Sequence, residues 1–295
     1  MKKHLLAYLC LCKIQITRTV ILTTAMGYYV AKLSAGIPFN QWDYLHFFAV
    51  LFAISIICAG ACAINHVVEA ESDARMSRTK DRPIPNKTIS KKAATIFGTG
   101  LIVLGTLFLY TYLPLLAVYS LLTALFYNFV YTPLKKYTKW NTTIGAIPGA
   151  LPIVGGWMAG GGADIKVASA LFLILFIWQH PHFYAIAWMY RNDYEKAGYK
   201  MISLNDAKGQ KTFLLSIITA ILLIPSTILL AFTVELGEVY IVLATLIGLW
   251  FAFEVALAAK KVSNRAARRI VLASVFYISL WFGAMLIDQS YKSFI

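Results

Sequence analysis

Runs of about 20 predominantly apolar residues recur along the whole chain, separated by short polar segments. No other feature constrains the fold so strongly. A helix of that length crosses a hydrocarbon core, and in lipid the backbone must satisfy its own hydrogen bonds. The runs fall at 15–34, 43–66, 94–112, 114–131, 142–160, 167–190, 212–232, 239–258 and 270–289. They do not alternate polar and apolar residues as barrel strands do, so they read as helices. With 59% hydrophobic and 14% charged residues, a chain of 295 residues has too little polar surface for a water-soluble globule. The expected architecture is an all-α integral membrane protein of about nine transmembrane helices in one domain, 1–295. Tyr112-Leu113-Pro114 marks its tightest hairpin.

The net charge of +14 invites a nucleic-acid reading, but the charges are sorted by side. With the N-terminus in the cytoplasm, that side collects 4 Lys and Arg in the N-terminal segment through Arg18 and 7 in the loop after the second span. It collects 3 after the fourth and 5 each after the sixth and eighth. That is 24 of the 27, with only Lys32, Lys166 and Lys292 opposite. The asymmetry is the positive-inside signature of a cytoplasmic N-terminus and an odd number of spans. The partner it implies is a lipid bilayer, not nucleic acid. Cys10, Cys12, Cys58 and Cys62 give no disulfide framework, and Cys58 and Cys62, one turn apart in a span, read as packing residues. The N-terminal apolar stretch resembles neither a cleavable signal nor a transit peptide, so a bacterial cell (inner) membrane is the expected address.

In such a chain the chemistry is expected from polar groups gathered on one side of the membrane. The richest set follows the second span, where Asn65, Glu69 and Asp73 stand at i, i+4 and i+8. If the helix continues, they lie about 6 Å apart along one face, drifting by roughly 80° over the set. Three oxygen-bearing side chains in a row suit Mg²⁺, which takes one or two carboxylates and leaves other positions to water and phosphate. Arg75, Arg78, Lys80 and Arg82 follow directly, and guanidinium forks suit phosphate oxygens. Acids followed by bases at a membrane surface form a plausible diphosphate–metal site. A solvated helix end with positive-inside bias is the competing account.

A second set closes the sixth span. His180 and His182 flank Pro181 inside it, where imidazoles are costly unless they face a cavity, and Pro181 is expected to loosen the helix. Arg191 and Asp193 follow on the same side as the first cluster. A third set ends the fourth span, where Tyr131 and Lys135 share a face if the turn survives Pro133. An aromatic-belt residue with an interfacial anchor would look the same. The Gly- and Pro-rich stretch from Asn141 to Trp157 reads mainly as close helix packing, although broken helices also line cavities.

Asn65-x3-Glu69-x3-Asp73-x2-Met76-x-Arg78-Thr79-x2-Arg82-Pro83 resembles the first signature of the UbiA-type intramembrane prenyltransferases. Its Met-x-Arg-Thr-x-x-Arg tail is similar to the branch of that superfamily that farnesylates protohaem. His182-Phe183, Trp188, Asp193-Tyr194 and Gly198-Tyr199-x-Met201 resemble the second signature of the same branch, and Tyr131-x3-Lys135 matches a Tyr-x-x-x-Lys element of the superfamily. Glu69 stands where the superfamily usually has aspartate. Tyr190 and Tyr194 stand where the general second motif has a pair of aspartates, with Asp193 off register, which puts a second fully protein-bound Mg²⁺ in doubt.

The resemblance implies a UbiA-like helical bundle that transfers the farnesyl group of farnesyl diphosphate to a vinyl group of protohaem IX. It implies Mg²⁺ on Asn65, Glu69 and Asp73, with Asp193 as a further candidate, and Asn65, Glu69, Asp73, Arg78 and Lys135 as the catalytic set. Arg75, Arg78, Arg82, Lys135 and Arg191 would receive the diphosphate, and His182 and His180 the haem. A downstream haem A synthase is an implied partner. Three rivals stay open: the same chemistry on an aromatic quinone precursor, a transporter using intramembrane histidine and Glu254 for ion coupling, and a structural assembly factor that binds haem without chemistry.

Overall fold

The computed structural model describes residues 2–36, 39–234 and 236–294. Among these, every regular element is helical: α1 (Lys2–Leu11), α2 (Ile14–Ser34), α3 (Gln41–Arg75), α4 (Lys91–Tyr110), α5 (Pro114–Leu125), a π segment (Phe126–Tyr131), α6 (Thr132–Leu134) and α7 (Asn141–Ala159). Then come α8 (Ile165–Met189), α9 (Arg191–Lys196), a 3₁₀ turn (Ile202–Asn205), α10 (Gln210–Val234), α11 (Glu238–Lys260) and α12 (Asn264–Phe294). Among the described residues, eight helical stretches are long and apolar enough to cross a membrane, with α5, the π segment and α6 counting as one (Pro114–Leu134), and the bent pair His4–Leu11 and Ile14–Ser34, at 46°, makes a ninth if it is one span. The expected span at 15–34 therefore needs α1 to complete it, because α2 carries Gln15, Thr17, Arg18, Thr19, Thr23 and Thr24. Leu104, Leu122, Phe232, Leu246 and Phe253 are exposed, as lipid-facing side chains are. The chain is a multi-pass membrane protein.

The described chain forms two compact units, Met1–Gly162 with Asn192–Lys200, and Ala163–Arg191 with Met201–Ile295. In the first, α3 runs well past its apolar stretch to Arg75. Asn40 starts it with a capping box, taking the backbone N–H of Trp42 and Asp43 while Asp43 takes that of Asn40 at 3.0 Å. Lys32 at the end of α2 pairs with Asp43 at 2.5 Å. The backbones of α3 and α4 meet at glycines. A Cβ on Gly60 would stand 2.6 Å from the Gly98 carbonyl oxygen, and one on Gly98 would stand 2.9 Å from that of Gly60. In the same way a Cβ on Gly27 of α2 would strike the Ile153 carbonyl of α7, and one on Gly156 the Thr24 carbonyl. The Gly-rich stretch thus serves close packing, and α7 stays helical through Pro148 and Pro152.

In the second unit α8 packs on α10 and α12, while α11 packs on α10 and α12. Its interior is fixed by polar links between large rings. Trp281 donates to the Tyr240 hydroxyl at 2.9 Å, and that hydroxyl donates to the Thr227 carbonyl at 2.9 Å. Asp288 of α12 accepts the backbone N–H of Gly237 and Tyr240, so a buried carboxylate closes the N-terminus of α11. α8 is assigned as one helix from Ile165 to Met189, with Pro181 inside it. Helices in the same unit flank it, and the His180 imidazole bonds the Phe176 carbonyl in the preceding turn at 2.7 Å.

Gly60→Val should force α3 and α4 apart and destabilise the protein by about 1–3 kcal/mol, the usual cost of overpacking. Gly100→Ala has nothing within 4 Å of the added Cβ and should be neutral or slightly stabilising. Thermal unfolding of both variants in one detergent checks the contrast.

Candidate active site

The last three turns of α3 carry Asn65, Glu69 and Asp73 on the buried face, while Val68, Glu71, Ala74 and Arg75 lie exposed on the other. Asn65 and Asp73 have no exposed surface and Glu69 is 7% exposed. Each meets a cation. Lys13 Nζ hydrogen-bonds Asn65 Oδ1 and stands 3.9 Å from Glu69 Oε2. Lys135 Nζ donates to Glu69 Oε1 at 2.8 Å, and the Tyr199 hydroxyl donates to the same oxygen at 3.0 Å. Arg82 donates from one nitrogen to both Asp73 oxygens, at 2.9 and 2.8 Å. His66 lies beside them, 1% exposed, with Nδ1 3.9 Å from Asp73 Oδ2.

Local backbone devices bring the cations in. The π segment at the end of α5 widens the helix by one residue, a feature common at functional sites. After it, the Thr132 hydroxyl donates to the Tyr127 carbonyl and accepts from Asn65 Nδ2 at 2.8 Å. The turn survives Pro133, and Lys135 lies 4.6 Å from the centroid of the Tyr131 ring. Lys200 N–H donates to the Lys135 carbonyl at 2.8 Å and Asn141 donates to the Lys200 carbonyl at 2.5 Å, so Tyr199 is held over Glu69. Burial disfavours the charged form of Lys135, but the Glu69 carboxylate outweighs it and raises the ammonium pKa well above its ordinary value. The Tyr199 phenol is raised by burial and by the Glu69 charge, so it stays a donor.

Asp193 takes the backbone N–H of Ser77 and Arg78 at 3.1 and 3.2 Å and so pins the turn that leads from α3 to Arg82. Burial raises its pKa, yet these two amides outweigh that and hold the carboxyl below its ordinary value. Arg75, Arg78 and Lys80 are exposed. Arg191 belongs to the second unit, where its guanidinium lies 4.3 Å from the Trp188 ring and donates to the Trp188 carbonyl. His180 and His182 are in that unit too. His182 stacks on Trp178 and bonds Ser274 Oγ through Nδ1 at 2.7 Å. Glu254 is matched by two hydrogen bonds from Arg269, at 2.5 and 3.0 Å. The sequence reading missed Lys13, His66 and Thr132. Lys13 enters the sequence argument only as a topology charge, although a lysine between two apolar runs is a usable signal.

The donor set suits a hard divalent cation: two carboxylates and one amide oxygen, nearly dry, on one helix face. Among the described residues no three His, Cys, Asp or Glu side chains gather into a metal cage. A divalent ion on this set would complete its shell with water or phosphate oxygens.

Residues 20–282 match the UbiA prenyltransferase family. A protein named protoheme IX farnesyltransferase from Solibacter usitatus is 36% identical over 286 residues, covering 96% of this chain and 98% of the relative. One of the same name from Salinibacter ruber is 37% identical over 289 residues, 95% and 98% of the two chains. Among solved structures, one described as digeranylgeranylglyceryl phosphate synthase in membranes has a TM-score of 0.73 at 19% identity, covering 97% of this chain and 98% of that one. A UbiA homologue from Archaeoglobus fulgidus bound to DMAPP and Mg²⁺ has a TM-score of 0.64 at 16% identity, covering 95% and 99%. At those identities the structures speak to the fold.

Lys135→Met should leave the Glu69 charge under-compensated and destabilise the protein by about 3–5 kcal/mol, as breaking a buried pair does. Adding Glu69→Gln should restore part of that loss. A thermal double-mutant cycle in detergent measures the coupling, and additive losses would show that the two groups do not act as a pair.

Proposed function

The chain belongs to the UbiA prenyltransferase family, and from that premise we propose that it transfers the farnesyl group of farnesyl diphosphate to a vinyl group of protohaem IX, giving haem O. The observation that carries the donor half is the buried acid ladder of α3 with a cation on each member. The acceptor half rests on the near full-length relatives named protoheme IX farnesyltransferase.

The diphosphate of the donor lies against the polar end of α3, and its apolar C15 chain needs the lipid-like interior. Mg²⁺ held by Glu69 and Asp73 with Asn65 would supply positive charge to the leaving group. Lys135, kept charged by Glu69, and Arg82, aimed by Asp73, stabilise the negative charge that grows there. Tyr199 fixes the Glu69 carboxylate. Asp193 we assign to positioning, since its two oxygens anchor the amides of Ser77 and Arg78 in the turn that leads from α3 to Arg82. The exposed Arg78 and Arg75 are proposed to meet the outer phosphate oxygens. The allylic C–O bond breaks and its electron pair leaves with the diphosphate. The vinyl π electrons then attack the farnesyl cation, and water adds to the resulting porphyrin-side cation and loses a proton. Exclusion of bulk water protects the first cation from quenching.

The histidines are proposed to receive the haem, and their tautomers follow from their partners. Ser274 has one hydroxyl proton and gives it to the Val271 carbonyl at 2.7 Å. His182 Nδ1, at 2.7 Å from the same oxygen, therefore carries a proton, and Nε2 presents a lone pair suited to haem iron. His180 bonds a carbonyl through Nδ1 and is likewise the Nδ1–H tautomer. Of the rival readings, coupled transport through Glu254 is disfavoured by the Arg269 pairing. We place the protein in a bacterial inner membrane with its N-terminus cytoplasmic, handing haem O to a haem A synthase.

Purified protein in lipid, given protohaem IX, farnesyl diphosphate and Mg²⁺, should yield a haem heavier by farnesyl plus hydroxyl in mass spectrometry. Asp73→Ala should lower that rate by at least about a hundredfold, the scale of losing an electrostatic stabiliser. Prenylation of a phenolic acceptor with no haem product would overturn the acceptor assignment. For the histidines, His182→Ala should remove the Soret shift seen on titrating haem. Ser274→Ala should weaken haem binding by about threefold to tenfold, the worth of one hydrogen bond, and should leave the KM for farnesyl diphosphate unchanged.

A further inference from the structure

Lys13 occupies the two-residue break between α1 and α2, with φ at 44°, a left-handed conformation that a lysine adopts only under constraint. The break is firmly seated. Leu11 and Ala7 of α1 pack against Ala63 and Ala70 of α3, and the Thr17 hydroxyl donates to the Cys12 carbonyl. The bend thus delivers one long cationic side chain onto the oxygens of Asn65 and Glu69.

Of the cations on this face, Lys13 is the least committed. Asp73 has Arg82 on both oxygens, and Glu69 has Lys135 and Tyr199 on Oε1. Lys13 is left with a neutral amide oxygen and a 3.9 Å approach to Glu69 Oε2. Three cations face two carboxylates, a surplus of one positive charge. A divalent ion and a triply charged diphosphate together bring one negative charge, which that surplus balances. Lysine suits exchange because its ammonium is a point charge on a flexible stem, whereas the Arg82 guanidinium is held on both oxygens of one carboxylate.

We propose that Lys13 is a place-holding cation. It holds Asn65 and Glu69 in the metal-free enzyme, gives those oxygens up when the divalent ion arrives, and moves onto the diphosphate that comes with it. The proposal rests on the metal–diphosphate reading of the α3 ladder and adds to it a competitor for the metal's own ligands.

Mn²⁺ titrated into the detergent-solubilised full-length chain and followed by electron paramagnetic resonance tests the exchange. Lys13→Met should bind Mn²⁺ alone at least about tenfold tighter than the unaltered protein, because a competing charge has gone. It should bind inorganic pyrophosphate with Mn²⁺ more weakly. Lys13→Asn, an uncharged residue that tolerates the left-handed backbone, should behave in the same way and guards against misfolding of the methionine variant. Lys13→Arg should retain pyrophosphate binding. Unchanged or weaker Mn²⁺ affinity in both uncharged variants, with normal binding by the unaltered chain, would overturn the exchange alone. Absence of Mn²⁺ binding by the unaltered chain, with or without pyrophosphate, would overturn the metal reading and the exchange together.

Discussion

Two carboxylates stand almost dry at the end of a membrane helix, and the first unit is built to neutralise them. An ionised carboxylate taken out of water costs several kcal/mol unless it is paired and hydrogen-bonded. Glu69 and Asp73 meet that requirement through Lys135 and Arg82, which arrive from separate parts of the chain. The bend between α1 and α2, the π segment after α5 and the pinned turn after α3 can all be understood as ways of bringing positive charge to α3. Compensated acids in a water-poor setting are also what a metal–diphosphate substrate needs, since the same cations can stabilise a departing anion.

The second unit has a different polar logic. Its buried groups are mostly rings linked to hydroxyls and carbonyls, as in Trp281–Tyr240–Thr227 and Trp178–Ser274. Such links fix ring orientation without introducing charge. His182 belongs to this pattern, stacked on Trp178 and bonded to Ser274. That environment fixes the tautomer and orientation of the imidazole, a suitable partner for a flat, largely apolar acceptor.

Much of the fold was legible because the lipid requirement is one-dimensional. Runs of about 20 apolar residues have few alternatives, and eight of the nine expected spans fall on single helical stretches apolar enough to cross. The spacing of Asn65, Glu69 and Asp73 placed them on one face once α3 continued to Arg75, and periodicity can reveal such a face. Periodicity could not reveal partners distant in sequence. Lys13 reaches α3 across 52 residues and Tyr199 across 130, and both depend on bends that no spacing rule encodes. Asp193 drew attention as an acid, but its use in binding two backbone amides appears only in three dimensions.

The most direct test of the central claim, that the α3 ladder is a metal–diphosphate site, is anomalous diffraction from crystals grown with Mn²⁺ and a non-hydrolysable farnesyl thiodiphosphate. The account predicts one anomalous peak within about 2.2 Å of a carboxylate oxygen of Glu69 or Asp73, the range of hard-cation–oxygen bonds, with the thiodiphosphate beside Lys135 and Arg82. A peak elsewhere, or a thiodiphosphate bound away from these side chains, would contradict it.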